Sequence, residues 1–273
     1  MIIPQGYERT MLRWYKEIGP RIPPLRPRVS GAFPAGRAGV IASTADSSDQ
    51  TRSVRRSLPR STVMLEAERV TSDRIPRPES AAEALAELLD GNRRFAAGEP
   101  DHGHEISAAA AAAASGGQQP YAVVVGCIDS RVPLEAIFDQ NFGSICVVRS
   151  GGTVLDRAVV GSVEFAVTEL KVPLVMVLGH ERCGAVSATV DAVRTGRKPS
   201  GALGYIVDEI SPAVTAAGPD SPDALERAIR GHIVATVERL RAEPNLRAEI
   251  EGERGVRIVG AIYDLDTGAV ILL

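Results

Sequence analysis

Two short stretches constrain this chain more than anything else in its 273 residues. From Val123 to Val132 it reads VVVGCIDSRV: a β-branched apolar run ends in glycine, and Cys127, Asp129 and Arg131 then follow at alternate positions. From Pro173 the same build returns as PLVMVL, then Gly179, His180 and, three residues on, Cys183. An unbroken apolar run of this length reads as a strand buried on both faces. Each stretch therefore delivers metal-ligating side chains from the carboxyl end of a buried strand. Soft thiolates with one imidazole and a nearby carboxylate suit zinc best among the common divalent metals.

The elements around these strands alternate. Ser80, with Glu83 three residues later, forms a capping box ahead of an apolar stripe at Leu85, Leu88, Leu89 and Phe95, and Gly98 and Pro100 end that helix. Residues 108–114 are seven alanines, a strong helix former. Strands are predicted over 122–126, 145–148 and 174–178, with a short helical turn over 133–138 and a helix over 158–170. Cys183 opens a small-residue helix, CGAVSATVDAV, and residues 201–217 and 222–243 read as two more helices. Arg257–Tyr263, an Asp264-Asp266-Gly268 turn and Ala269–Leu273 fit a final strand pair. The predicted fold is α/β, a mostly parallel sheet with helices on both faces.

Residues 1–78 differ from the rest. Proline and glycine recur, and serine and arginine dominate afterwards. Such a segment buries too little apolar surface to offset the entropy of ordering, so a disordered extension is expected, followed by one zinc domain over 79–273. Met11–Tyr15 is its one apolar-aromatic piece, and Met64 is an alternative start. The extension carries 14 basic and 7 acidic residues, a balance of +7, against 17 basic and 27 acidic residues, or −10, in the remainder. It has neither helical periodicity nor stacked aromatics, so neither nucleic acid nor a membrane is expected as a partner. No apolar run approaches the roughly 20 residues of a spanning helix, and the Arg55-Arg56 pair is followed by no hydrophobic segment. Three cysteines are too few for a disulfide framework. The expectation is a cytoplasmic protein, with Cys146 an inert buried thiol.

In parallel sheets, functional groups collect outside the carboxyl ends of the strands where the strand order reverses. Cys127 and His180 each follow a strand, and Cys183 reaches the same point from the first turn of a helix. Three strong ligands with one open or contested position are the arrangement of a catalytic zinc. Asp129 is either the fourth ligand or the partner of Arg131, and if it occupies both states it is a switch. The plainer readings are a structural zinc staple, although no CxxC knuckle is present, or two unrelated buried cysteines. His102 and His104 sit in a polar connection and read as solvent-exposed.

Taken together, these motifs resemble the β-class carbonic anhydrases. The resemblance rests on Cys127-Ile128-Asp129-Ser130-Arg131 and His180-Glu181-Arg182-Cys183, supported by GNRRF at Gly91–Phe95, IFDQ at Ile137–Gln140, VVR at Val147–Arg149 and the GSVEFAV helix. It spans roughly residues 82–273. It implies an obligate homodimer or homotetramer, one Zn2+ per subunit, and interconversion of carbon dioxide and bicarbonate. By position it implies Cys127, His180 and Cys183 as zinc ligands. Asp129 and Arg131 become a catalytic dyad in which the carboxylate orients the reacting water. Gln118 matches a glutamine that binds substrate across the dimer interface, although adjacent Gln119 fits as well. Arg149 matches an arginine that in some members holds bicarbonate, with a structural role as its alternative. Two departures stand out: Ile128 where serine or alanine is usual, and Ser150-Gly151-Gly152-Thr153 in place of a more polar turn. Neither removes a ligand.

Other classes remain to be separated: a zinc hydrolase for carbonyl sulfide or carbon disulfide, a non-catalytic bicarbonate or zinc sensor with Asp129 on the metal, and a redox module using Cys127 and Cys183. No shuttle histidine is placed by the sequence, His232 included.

Overall fold

The computed structural model describes residues 77–101 and 107–273. The extension up to residue 76, with Met11–Tyr15 and Met64, lies outside the described residues, as do His102 and His104. Among the described residues, Arg77 is packed onto the domain: its Nη2 donates to the carbonyls of Pro120, Leu170 and Lys171 at 2.8, 3.1 and 3.2 Å. The capping box is present. Ser80 Oγ accepts from the Glu83 N–H, and the Glu83 carboxylate accepts from the Ser80 N–H, opening helix α1 (Ala81–Ala97). A left-handed Gly98 closes it, and the alanine helix α2 (Ala108–Ala114) follows.

The chain then winds through β1 (Ala122–Cys127), α3 (Leu134–Ile137), β2 (Ile145–Ser150), a tight turn at Gly151–Thr153, α4 (Arg157–Thr168) and β3 (Leu174–His180). It continues through α5 (Gly184–Thr195), α6 (Ala202–Ala217), α7 (Ala224–Ala242), α8 (Pro244–Glu251), β4 (Arg257–Tyr263) and β5 (Val270–Leu272). Helix α8 is an element the sequence reading did not separate; Pro244 at its first position starts it directly after α7.

The strand order is β2-β1-β3-β4-β5, with the first four parallel and β5 antiparallel on β4. From β1 the chain moves one way to β2, then crosses back over β1 to lay down β3. The order therefore reverses between β1 and β3, and a crevice opens at their carboxyl ends.

Side chains alternate across the sheet. Val123, Val125, Val175 and Val177 face a core shared with α4, α5, α6 and α7, through Val163, Val186, Ile210 and Ile233. Ala122, Val124, Leu174 and Met176 face a second core against α1 and α3, through Leu88, Leu134 and Ile137. Both faces are covered, as the unbroken apolar strands require. Each fully buried Val, Leu or Ile stabilises the fold by roughly 1.5–3 kcal/mol relative to exposure. Among the described residues no helix is long and apolar enough to cross a membrane.

Candidate metal centre

Both marked strands run right up to their ligands. β1 ends on Cys127 and β3 on His180, at the β1/β3 crevice, while Cys183 is the N-cap of α5. The ligand atoms of Cys127, His180 and Cys183 lie within 4.8 Å of one another, and all three residues are buried. Arg182 makes the bend that brings Cys183 back toward His180, with φ at 51°. Left-handed backbone is disfavoured for a residue with a Cβ, so it needs support. Support comes from a two-pronged bond between Arg182 and Asp266, at 2.8 and 2.7 Å, and from the Glu181 N–H donating to the Tyr263 carbonyl at 3.1 Å.

His180 Nδ1 lies 2.8 Å from the Glu181 carbonyl. A carbonyl can only accept, so Nδ1 carries the proton and Nε2 is the bare nitrogen. Among the described residues Nε2 is buried with no hydrogen-bond partner, a costly state for a polar atom. It borders a small cavity lined also by Cys127, Cys183 and Gly152. An orphaned imidazole nitrogen, two soft sulfurs and atom-sized room between them fit zinc.

The two thiols are not equivalent. Cys127 is favoured as the thiolate first by a hydrogen bond from Cys183 and then by those from the Asp129 and Gly152 backbone, which outweigh burial and pull its pKa well down. Cys183 is pushed up, because it donates to that thiolate and is itself buried. The pair thus carries one negative charge before any metal arrives. Cys146 is half-buried, and burial raises its pKa, consistent with an inert thiol.

Asp129 takes the second of the two positions open to it in the sequence. Its Oδ1 accepts from the Arg131 N–H and Nε, both at 3.0 Å, and its Oδ2 accepts from Nη2 at 2.8 Å. These bonds hold its carboxyl well below the usual carboxylate range. Oδ2 still lies 3.8 Å from His180 Nε2, on the edge of the ligand cluster. Arg149 comes to the same place along β2, where Nε donates to the Cys127 carbonyl at 2.8 Å and Nη2 to the Asp129 carbonyl at 2.6 Å. Ile128, between the two, is 65 % exposed.

Gln118 is not brought to this cluster. It is exposed beside Gly143, ahead of the amino end of β1, while Cys127 ends that strand. Six strand residues put roughly 20 Å between the two ends at about 3.3 Å per residue.

Sequence reasoning missed the contribution of α7. Gly179 has no side chain to keep that helix away: a Cβ there would lie 2.4 Å from Ile233 Cδ1. The close approach lowers His232 against the Gly151–Thr153 turn, with Nε2 2.9 Å from the Gly152 carbonyl. The Gly152 N–H in turn points at Cys127 Sγ, 3.4 Å away. The only signal in the sequence was a histidine, with Thr236 one turn on, set into the apolar face formed by Ile229, Ile233, Val237 and Leu240.

Comparison with known proteins gives a consistent result. Residues 122–270 match the family model described as carbonic anhydrase. Carbonic anhydrase 2 of Mycobacterium tuberculosis is 42% identical over 185 residues, covering 68% of this chain and 89% of that protein. The carbonic anhydrase of Mycolicibacterium smegmatis is 42% identical over 188 residues, with the same coverage of 68% and 89%. Among solved structures, a tetrameric β-carbonic anhydrase of Sordaria macrospora superposes with a TM-score of 0.54 at 24% identity, over 69% of this chain and 96% of that one. The Coccomyxa β-carbonic anhydrase in complex with acetazolamide gives 0.54 at 23% identity, over 69% and 86%. These two structures share the fold.

Proposed function

The chain belongs to the β-class carbonic anhydrase family, and from that premise we propose how its own residues carry out the reversible hydration of carbon dioxide. The observation that carries the reading is the convergence of Cys127, His180 and Cys183 on one atom-sized cavity with a bare imidazole nitrogen. These three would hold zinc. Bound there, zinc supplies the acidity that makes a water nucleophilic near neutral pH.

The remaining work falls to the protein. Asp129 accepts a hydrogen bond from the reacting water through Oδ2, the carboxylate oxygen turned toward His180 Nε2. Arg131 holds that carboxylate ionised and in one orientation, so the water presents a lone pair to the incoming carbon atom. Arg149 clamps the carbonyls of Cys127 and Asp129 and so fixes the loop between ligand and dyad. Direct contact between Arg149 and bicarbonate is reserved for the N–H groups it does not spend on those carbonyls. The Asp129–Arg131 pairing favours a working enzyme over a sensor locked with the carboxylate on the metal. His232 is 4% exposed and donates to a carbonyl, so the proton leaves by another route.

A second copy completes the site. Gln118 lies at the far end of β1 from the ligands of its own chain, and the large apolar Ile128 stands uncovered beside them. A homodimer, alone or paired into a tetramer, places the partner's glutamine side and an apolar cover over that mouth. Three unpaired thiols are consistent with a reducing compartment, and a cytoplasmic location goes with them. The test is stopped-flow carbon dioxide hydration by the zinc-loaded chain and by the same protein stripped with a chelator. Rapid turnover that disappears on stripping and returns with zinc is expected; no turnover by the loaded protein would overturn the assignment.

A further inference from the structure

We propose that His232 is a positioning residue for the metal centre: it latches the Gly151–Thr153 turn so that the Gly152 N–H stays on the Cys127 sulfur. The inference rests on Cys127 being a zinc ligand. Three independent features of the turn support it. First, the turn is strained. Gly152 and Thr153 are consecutive left-handed residues, with φ of 64° and 59°, and Thr153 is β-branched, the type of side chain least tolerant of that region. Such backbone persists only where the surroundings over-determine it.

Second, the turn has no room to relax around Gly152. A Cβ there would lie 2.9 Å from Ile210 Cδ1 and 3.0 Å from the Ala185 Cβ, so α5 and α6 press on it from outside the sheet. Packing alone excludes bulk but does not orient a peptide plane. Two donors meet the Gly152 carbonyl: the adjacent Thr153 hydroxyl, which moves with the turn, at 2.6 Å, and His232 Nε2, which anchors it to the neighbouring helix, at 2.9 Å, a distance that requires the Nε2–H tautomer because the carbonyl can only accept. Third, the peptide on the other side of Gly152 is the one that matters to the metal, since its N–H points at Cys127 Sγ from 3.4 Å. With the backbone angles of Gly152 fixed between the two, holding its carbonyl fixes its amide.

A buried imidazole on a mostly apolar helix face is costly without a partner. Burial lowers the pKa of His232 and so favours the neutral imidazole, which suits a hydrogen-bond latch. An amide hydrogen bond to a ligand sulfur withdraws charge from it and tunes both its orientation and its affinity for the metal. The residue never touches substrate and acts through Gly152 and Cys127.

The test compares full-length zinc-loaded wild type with His232→Phe, which fills the space without a donor, and His232→Gln, which restores one. Two readouts follow the sulfur: zinc affinity by chelator competition, and the thiolate-to-metal charge-transfer band after cobalt substitution. Outer partners of metal ligands typically govern 10–100-fold in affinity, so the Phe variant is expected to bind zinc at least about tenfold more weakly with a displaced band. The Gln variant is expected to recover most of both. A folded Phe variant with affinity within about twofold of wild type and an unmoved band would overturn the latch. Should the Phe variant fail to fold, nitrogen-15 NMR of the wild-type imidazole decides: the Nε2–H tautomer supports the latch, and the Nδ1–H tautomer overturns it. A wild type that takes up no zinc would remove the ligand reading and the latch together, whereas a loaded wild type with an indifferent Phe variant would remove the latch alone.

Discussion

Replacing Asp129 by asparagine changes one atom and, by the geometry of the site, removes most of the turnover. The carboxylate accepts three hydrogen bonds from Arg131, two at Oδ1 and one at Oδ2. Asparagine keeps its oxygen where two donors converge, which places its NH2 group where Oδ2 stood. That group then faces Arg131 Nη2 donor against donor across a contact that was 2.8 Å, and the fork opens. It also offers a donor, where an acceptor stood, on the side turned to His180 Nε2. A correctly placed acid–base group is typically worth 10²–10⁴-fold, about 3–5 kcal/mol in the barrier. The fold depends little on this surface pair, because the Arg131 side chain is half in solvent. The expected signature in stopped-flow hydration is a kcat lower by about a hundredfold or more, with zinc content and melting temperature unchanged. A variant that keeps its zinc and turns over within about threefold of wild type would refute the dyad.

Three further outcomes follow from the geometry. Gly91→Ala places a Cβ 1.9 Å from the Phe138 carbonyl oxygen, a backbone atom that cannot step aside. A loss of about 1–3 kcal/mol in chemical denaturation is expected as α1 is levered off α3, and an unchanged midpoint would contradict that contact. Arg149→Lys keeps the charge but loses the planar fork whose Nε and Nη2 reach the two carbonyls. Its kcat should fall about tenfold while KM for bicarbonate holds within about twofold; a large rise in KM instead would make Arg149 a substrate contact. Zinc loading should release about one proton from the cysteine pair near neutral pH, because Cys127 is already a thiolate and Cys183 still holds its proton. Since that proton must leave, apparent zinc affinity rises with pH, by about tenfold per unit, and steepens at acid pH where Cys127 reprotonates. Calorimetry in two buffers of different ionisation enthalpy reads the proton count, and a release of two would show that Cys127 is protonated before loading as well.

The sequence made the frame legible because its signals were local. The apolar runs at Val123 and Leu174 could only be buried strands, and their ligands could only sit at the carboxyl ends. Ser80 and Glu83 announced their helix with side chains three residues apart, and β4 was bounded by its own composition. What could not be read was set by tertiary contact. Arg149 was placed near the site, but its two carbonyl partners depend on the parallel pairing of Gly126 with Arg149 and Cys127 with Ser150. The left-handed Thr153 is a backbone state that a β-branched side chain argues against, so no pattern announces it. His232 arrives only because Gly179 lets α7 settle on β3. Asp129 was legible as a residue with two positions, and the choice between them lay in the reach of the Arg131 side chain.

The most direct measurement is anomalous diffraction at the zinc edge from crystals of the metal-loaded protein near neutral pH. The expected result is one zinc per chain, about 2.3 Å from the sulfurs of Cys127 and Cys183 and about 2.0–2.1 Å from His180 Nε2, with the Asp129 carboxylate still on Arg131. A zinc peak away from these three residues, or an Asp129 carboxylate bound to the metal, would contradict the account.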